Sequence, residues 1–193
     1  MESVLQPELT LGVAEQSAPG LADFDAVVRL YQPGIFRYIL ASLRDRDAAE
    51  TLTQDCFLRA YQARDKFRGD ASVKTWLMRI AVNLVRDYIS NARLKFWRRT
   101  QRSSIDLALA GDWLGDGKSS PESMASARQQ IGIIWNAVEE LPEKQRTVFL
   151  LRFVEDMDIL EIVAATGIKE GTVKVHLFRA LQTVRAKIAG GSK

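Results

Sequence analysis

Hydrophobic positions recur along most of this chain at the three- and four-residue intervals that gather apolar side chains on one face of an α-helix. In the stretch that opens "TWLMRIAVNLVRDYI", Leu77, Ile80, Ala81, Leu84 and Tyr88 share one face, and Arg79, Asn83, Arg86 and Asp87 another. The same spacing predicts helices around Asp23–Leu43 and about Asp47–Lys66, ahead of the long one that starts at Val73. Strand-like alternation is not sustained anywhere. Residues 1–22 have no period and carry Pro7, Pro19 and Gly20, so they read as a flexible lead-in. Residues 101–130 are rich in Gly, Ser and Asp, carry Pro121 and an acidic excess, and read as a linker. Beyond it, Ile134, Ala137, Val138 and Leu141 mark a helix that stops at Pro142, and "PEKQRTVFLLRF" opens the next with Pro142 in its first turn. The expected fold is all-α: two small helical domains, residues 23–100 and 131–188, joined by the linker and followed by a short tail, residues 189–193. Units of this size are marginal alone, so packing against a partner matters.

Composition narrows the function. The chain has 193 residues, 47% hydrophobic and 26% charged, which is ordinary for a globular protein. One cysteine, Cys56, rules out an internal disulfide and a cysteine-rich zinc site; one histidine, His176, leaves little for a metal site or for imidazole catalysis. No metal or cofactor is expected. The N-terminus lacks a basic start followed by an apolar core, and no stretch nears the roughly 18 apolar residues of a membrane helix, so the expected setting is the cytoplasm, with no membrane insertion.

A net charge of +3 is too small to name a partner, so its distribution matters more. From Arg79 to Arg102 there are seven Arg or Lys against one Asp, with Phe96 and Trp97 among them. Cations beside flat rings suit phosphates and unstacked bases, although a solvated helix end has the same composition.

The segment "ILEIVAATGIKEGTVKVHLFRALQTVR" has a helix-turn-helix layout: a short apolar helix, a turn at Gly167 and a longer helix from about Glu170. Ile159, Ile162 and Val163 are placed to pack on Ile168, Val173 and Leu177, while glycine allows a left-handed turn. Val173, Leu177, Ala180, Leu181 and Val184 form the inward stripe of the second helix. Thr172, Val175, Phe178, Arg179 and Gln182 face outward, with Lys169, Lys174 and His176 beside them. Arg can pair with guanine, Val can meet a thymine methyl, and Lys can hold phosphate. A plain helical hairpin has the same pattern.

These motifs and their order bring a family into view. "FRGDASVKTWLMRIAVNLVRDYI", "DAAETLTQDCFLRAYQARDKF", "LPEKQRTVFLLRF" and "GIKEGTVKVHLFRAL" together resemble the extracytoplasmic-function subfamily of bacterial RNA polymerase sigma factors, of the sigma-70 family, over about residues 23–188. The resemblance implies a promoter-specificity factor rather than an enzyme. Its N-terminal domain would bind core RNA polymerase at the β′ clamp, melt the −10 element and capture an unpaired base. Its C-terminal helix-turn-helix would read −35 duplex beside the β subunit, and an anti-sigma factor would be a further partner. The implied −10 residues are Arg68, Gly69, Asp70, Ser72 and Lys74 in and beside the capture loop, with Trp76, Arg79, Asn83, Arg86 and Asp87 on the helix. Trp76 is either a wedge beside melted DNA or a core residue. For the polymerase, Leu52, Cys56 and Ala60 form the buried stripe of the second helix and leave Gln54, Asp55, Leu58 and Gln62 outward. Cys56 thereby reads as a core residue rather than a redox sensor.

Thr51 and Thr53 replace acidic and aliphatic residues expected in the polymerase-binding helix, and "VKVH" replaces the usual "VKSR" of the recognition helix. "GTVKVHL" also resembles the LuxR-type regulator helix-turn-helix, which leaves "FRGDASVKTWLMRIAVN" without an explanation. A nucleic-acid enzyme is disfavoured, because Asp55, Asp70 and Asp87 lie on different elements without paired-metal spacing.

Overall fold

The structure, a computed structural model, describes residue 21, residues 23–94 and residues 131–190. The basic run from Lys95 to Arg102, the acidic linker and the lead-in lie outside the described residues. Among those described there is no strand, and no helix is long and apolar enough to cross a membrane.

Helix α1 (Phe24–Leu43) starts where the Asp23 carboxylate accepts a hydrogen bond from the Ala26 N–H at 2.9 Å. It runs through Pro33, which costs one backbone hydrogen bond, and ends at Arg44 in the left-handed region, with φ 54°. Asp45 caps α2 (Arg46–Ala63) in the same way, through the Ala48 N–H at 2.9 Å. A 3₁₀ turn, Arg64–Lys66, leads into a loop and then α3 (Val73–Leu94). These helices bury Val27, Ile35, Ile39, Leu52, Cys56, Phe57, Leu77 and Leu84 between them, each large side chain contributing about 1.5–3 kcal/mol by leaving water.

The second group begins with α4, helical over residues 131–139, followed by α5 (Glu143–Phe153), α6 (Ile159–Thr166) and α7 (Glu170–Gly190). Pro142 stands at the N-cap of α5, one position earlier than the sequence pattern suggests; its fixed φ of −53° suits helix entry. Val138, Leu141, Leu150, Leu151, Met157, Ile162 and Val173 are buried around this group.

The two groups are not held apart. Helix α3 packs on α6, and α1 packs on α5, so the domains expected from sequence form two lobes pressed along a seam. This explains why α3 is buried over a wider arc than its stripe predicts. Met78, Val82 and Val85 are buried as well as Leu77, Ala81 and Leu84, because α3 is covered by α1 and α2 from its own lobe and by α6 from the other.

Candidate nucleic-acid interface

Each lobe builds one candidate reading element. In the C-terminal lobe, Asp158 and Glu161 open α6 with a capping box: Asp158 Oδ1 accepts from the Glu161 N–H at 2.8 Å, and Glu161 Oε2 accepts from the Asp158 N–H at 2.9 Å. The helix closes on Gly167, whose φ of 71° is the conformation a residue with Cβ resists. Its N–H donates to the Val163 carbonyl at 2.8 Å, and Thr166 Oγ1 accepts from the Ile168 N–H at 3.2 Å, so the turn is locked at both ends. Helix α7 leaves that turn with Val173, Ala180 and Val184 buried and Leu177 and Leu181 partly buried.

The opposite face carries the outward residues. Thr172, Lys174, Val175, Phe178, Arg179 and Gln182 lie on it, Phe178 exposed over 62% of its surface, and Lys169 is exposed at the turn. Lys174 pairs with Glu170 one turn earlier, which leaves Arg179 as the exposed cation next to Phe178. His176 is half-buried, its Nδ1 enclosed without a partner. Desolvation, with Lys144 and Arg179 adding repulsion, holds the imidazole below its ordinary pKa. Lys144, at the start of α5, is a cation near this face that the pattern of α7 alone could not supply.

In the N-terminal lobe, the loop after the 3₁₀ turn exposes Arg68, Gly69 and Asp70, with Gly69 at φ 76°. Ser72, expected near the captured base, is exposed beside the loop, and its Oγ accepts from the Thr75 N–H at 3.1 Å and starts α3. Trp76 is half-buried and packs on Phe67, ring centroids 5.1 Å apart, so it braces the base of the loop while keeping an open edge. On α3, Arg79, Arg86 and Asp87 are exposed, and Arg86 Nη2 donates to Asn83 Oδ1 at 2.9 Å, which turns Arg86 toward the half-buried Asn83. Lys74, in the first turn of α3, is half-buried. Its ammonium donates to the backbone carbonyl of Glu155 in the other lobe.

The outer face of α2 is separate from both. Gln54, Leu58 and Gln62 are exposed, Leu58 at 56%, and Asp55 is half-buried. Tyr61, 48% exposed beside them, adds a second apolar group that stripe counting missed, because its ring meets Phe24 of α1 along one edge. Cys56 is fully buried, its Sγ 3.6 Å from the Leu77 carbonyl, and burial pushes the thiol up to about 12. Thr53 is tolerated in the core because its hydroxyl donates to the Ala49 carbonyl at 2.7 Å.

Among the described residues the fold is all-helical, with a helix-turn-helix in one lobe and, in the other, a loop and helix that expose Arg68, Arg79 and Arg86, a layout that fits the class of nucleic-acid-binding proteins. Comparison with known proteins narrows the class. Residues 27–102 match the family model for sigma-70 region 2, and residues 131–184 the model for sigma-70 region 4. The ECF RNA polymerase sigma-E factor of Escherichia coli K12 is 30% identical, over 86% of this chain and 86% of its own. The ECF RNA polymerase sigma factor SigW of Bacillus subtilis is 28% identical, over 86% and 88%. The fold is shared with sigma factor RpoE from Bartonella quintana, solved in complex with the anti-sigma factor NepR, at a TM-score of 0.61 and 20% identity over 86% of this chain and 97% of the other. It is also shared with CnrH in complex with the cytosolic domain of CnrY, at 0.61 and 20%, over 88% and 89%. The chain belongs to the extracytoplasmic-function sigma factors of the sigma-70 family, and it is a promoter-specificity factor. Sigma factors are regulatory subunits without catalysis of their own.

Proposed function

We propose that this chain joins core RNA polymerase and directs it to promoters by reading two elements with its two lobes. Residues 131–188 form the −35 domain. Arg179, with its outward guanidinium, reads a base edge, Val175 and Phe178 supply apolar contact, and Lys169, Lys174, Thr172 and His176 set the register on the backbone. Residues 23–100 form the polymerase-binding and −10 domain. Arg68, Gly69, Asp70 and Ser72 rim the capture loop, with Lys74 beside them; Trp76 supports it; Arg79, Asn83, Arg86 and Asp87 line the path of the melted strand. Unstacking costs a few kcal/mol, and stacking and charge at the loop offset it.

Gln54, Asp55, Leu58 and Gln62, joined by Tyr61, form the surface for the β′ clamp, with β met by the C-terminal lobe. An anti-sigma factor is a fitting partner, since the Bartonella quintana relative of this fold was solved in complex with one. The setting is the cytoplasm, where polymerase and promoters are. The observation that carries the reading is the outward face of α7, apolar and cationic residues left exposed on a helix whose other side is used in packing. A LuxR-type regulator would share that helix but leaves the match of residues 27–102 without a role.

Replacing Leu58 by Ala tests the polymerase surface. A buried interface anchor is worth about 2 kcal/mol, so a pull-down with core polymerase should weaken by roughly thirtyfold while circular dichroism is unchanged. Full retention of binding would remove this face from the proposal.

A further inference from the structure

Helices α5 and α7 pack on each other, and His176 sits at the edge of that contact. It stands three residues after the buried Val173 and four before the buried Ala180, so its ring lies at the margin of the stripe that α7 uses for packing. Lys144, the second residue of α5, is exposed and close enough to act on that ring. Arg179, one turn further along α7, is exposed and acts on it as well.

The carboxylates of the surrounding helices are engaged elsewhere. On α5, Glu143 acts on the Tyr38 phenol, while Arg146 donates to the Ser42 and Leu141 carbonyls and Arg152 to the Met157 carbonyl. On the segment of α4, Glu139 pairs with Arg44 and Glu140 with Lys187. Glu161, the charged residue of α6, accepts from the Thr75 hydroxyl, and Glu170 of α7 pairs with Lys174. The charges that bear on His176 are therefore Lys144 and Arg179, both cations, and among the described residues neither pairs with a carboxylate.

Nδ1 of the ring is enclosed without a partner. A proton there would find no acceptor, so the neutral ring carries its proton on Nε2 and offers that nitrogen as a donor. An N–H donor beside an unpaired ammonium, on two helices fixed by packing, has the chemistry of an anion site. The anion that a groove reader meets there is a phosphodiester oxygen. Arg179, about 4.5 Å further along the helix, reaches a base edge, and phosphates flank the groove it enters.

We propose that Lys144 and His176 form a two-helix site that grips one phosphate of the −35 duplex and draws a proton from solvent onto the imidazole as it binds. The proposal rests on the −35 reading above. In the unbound chain, protonation sets a further cation beside Lys144 and Arg179; a phosphate supplies the missing negative charge and turns that repulsion into attraction. The bound ring holds its proton to higher pH than the unbound ring. Affinity gained in this way is absent at alkaline pH, appears as pH falls through the titration of the bound ring, and is complete below that of the unbound ring.

The chain has a single histidine, so its imidazole NMR signals report His176 alone. They are followed against pH with and without a mixed-sequence duplex of about 20 base pairs at low salt, where phosphate contacts dominate, and affinity is read by fluorescence anisotropy. The duplex should move the imidazole titration upward, and binding should tighten by about three- to tenfold between about pH 8 and about pH 6. His176→Gln should remove that pH dependence, and His176→Arg, permanently charged, should bind tightly at both pH values. Lys144→Gln should raise the imidazole titration of the unbound chain and lower the salt slope of binding by about one, while Lys144→Arg keeps the slope. An imidazole titration that the duplex leaves in place, or a salt slope unchanged in Lys144→Gln, would overturn the two-helix site and leave the −35 reading standing. Absence of duplex binding at either pH would remove both.

Discussion

The start of α3 and the start of α7 are both candidate reading surfaces, and they stand in opposite situations. On α7 the outward residues are open to solvent: Val175, Phe178 and Arg179 are presented by a helix that packs on its other side. On α3 the first turn is engaged, with Lys74 on Glu155, Thr75 on Glu161, and Trp76 against Phe67. A duplex reader can be finished in advance, because its target is a regular groove. The loop ahead of that turn, with Arg68, Gly69 and Asp70, and the later positions Arg79 and Arg86 stay exposed, so the contrast is confined to the first turn of α3. The difference suits a protein whose two elements act at different moments of one process.

The largest test of that contrast is in the core. Leu150→Ala removes a fully buried side chain of the C-terminal lobe and should cost about 2–5 kcal/mol, read by thermal denaturation. It should abolish −35 binding at a temperature where polymerase association through α2 persists; joint loss of both would mean that the lobes fold as one unit. Next, Arg179→Ala should weaken −35 duplex binding by about 1–3 kcal/mol if its guanidinium pairs with a base, with secondary structure unchanged. Equal footprints for the two proteins would remove Arg179 from the reading set.

A pH series separates the two cores. Cys56 in the N-terminal lobe is raised from 9.0 to about 12, so the folded state keeps its proton where the unfolded chain loses it. Its stabilising contribution is complete below about 9 and is lost as pH rises toward 12. Cys56→Ala should flatten that part of the stability curve, and alkylation of the native thiol should track unfolding. The smallest effect is expected at Asn83. Its replacement by Ala should shift preference among −10 sequences by about 1 kcal/mol with polymerase binding unchanged, and a uniform loss on every promoter would make its role structural.

Much of this was legible along the chain. The stripe of α7, the left-handed turn at Gly167 and the buried position of Cys56 follow from local spacing, because a 3.6-residue period and a tight turn are written within one helix and its neighbour. The arc of α3 was not. Met78, Val82 and Val85 join its buried side because three helices cover it, and no single helix's period records how many neighbours it has. Lys74 meets the Glu155 carbonyl 81 residues away, and Arg37 meets the Glu155 carboxylate across 118. Pairings at such separation leave no trace in local pattern. Ser72 was placed correctly in the loop, and its capping bond to Thr75 is the commonplace use of a serine just before a helix. The roles given to the −10, −35 and polymerase-facing residues rest on exposure and chemistry, and the substitutions above are their tests.

Transcription itself tests the central claim most directly. Core polymerase from the host, given fragments of the host genome with and without this chain, should yield a set of chain-dependent 5′ ends, each preceded by shared sequence blocks near −10 and −35 at a fixed spacing. Identical 5′ ends in the two reactions, or chain-dependent ends with no common upstream pair, would contradict the account.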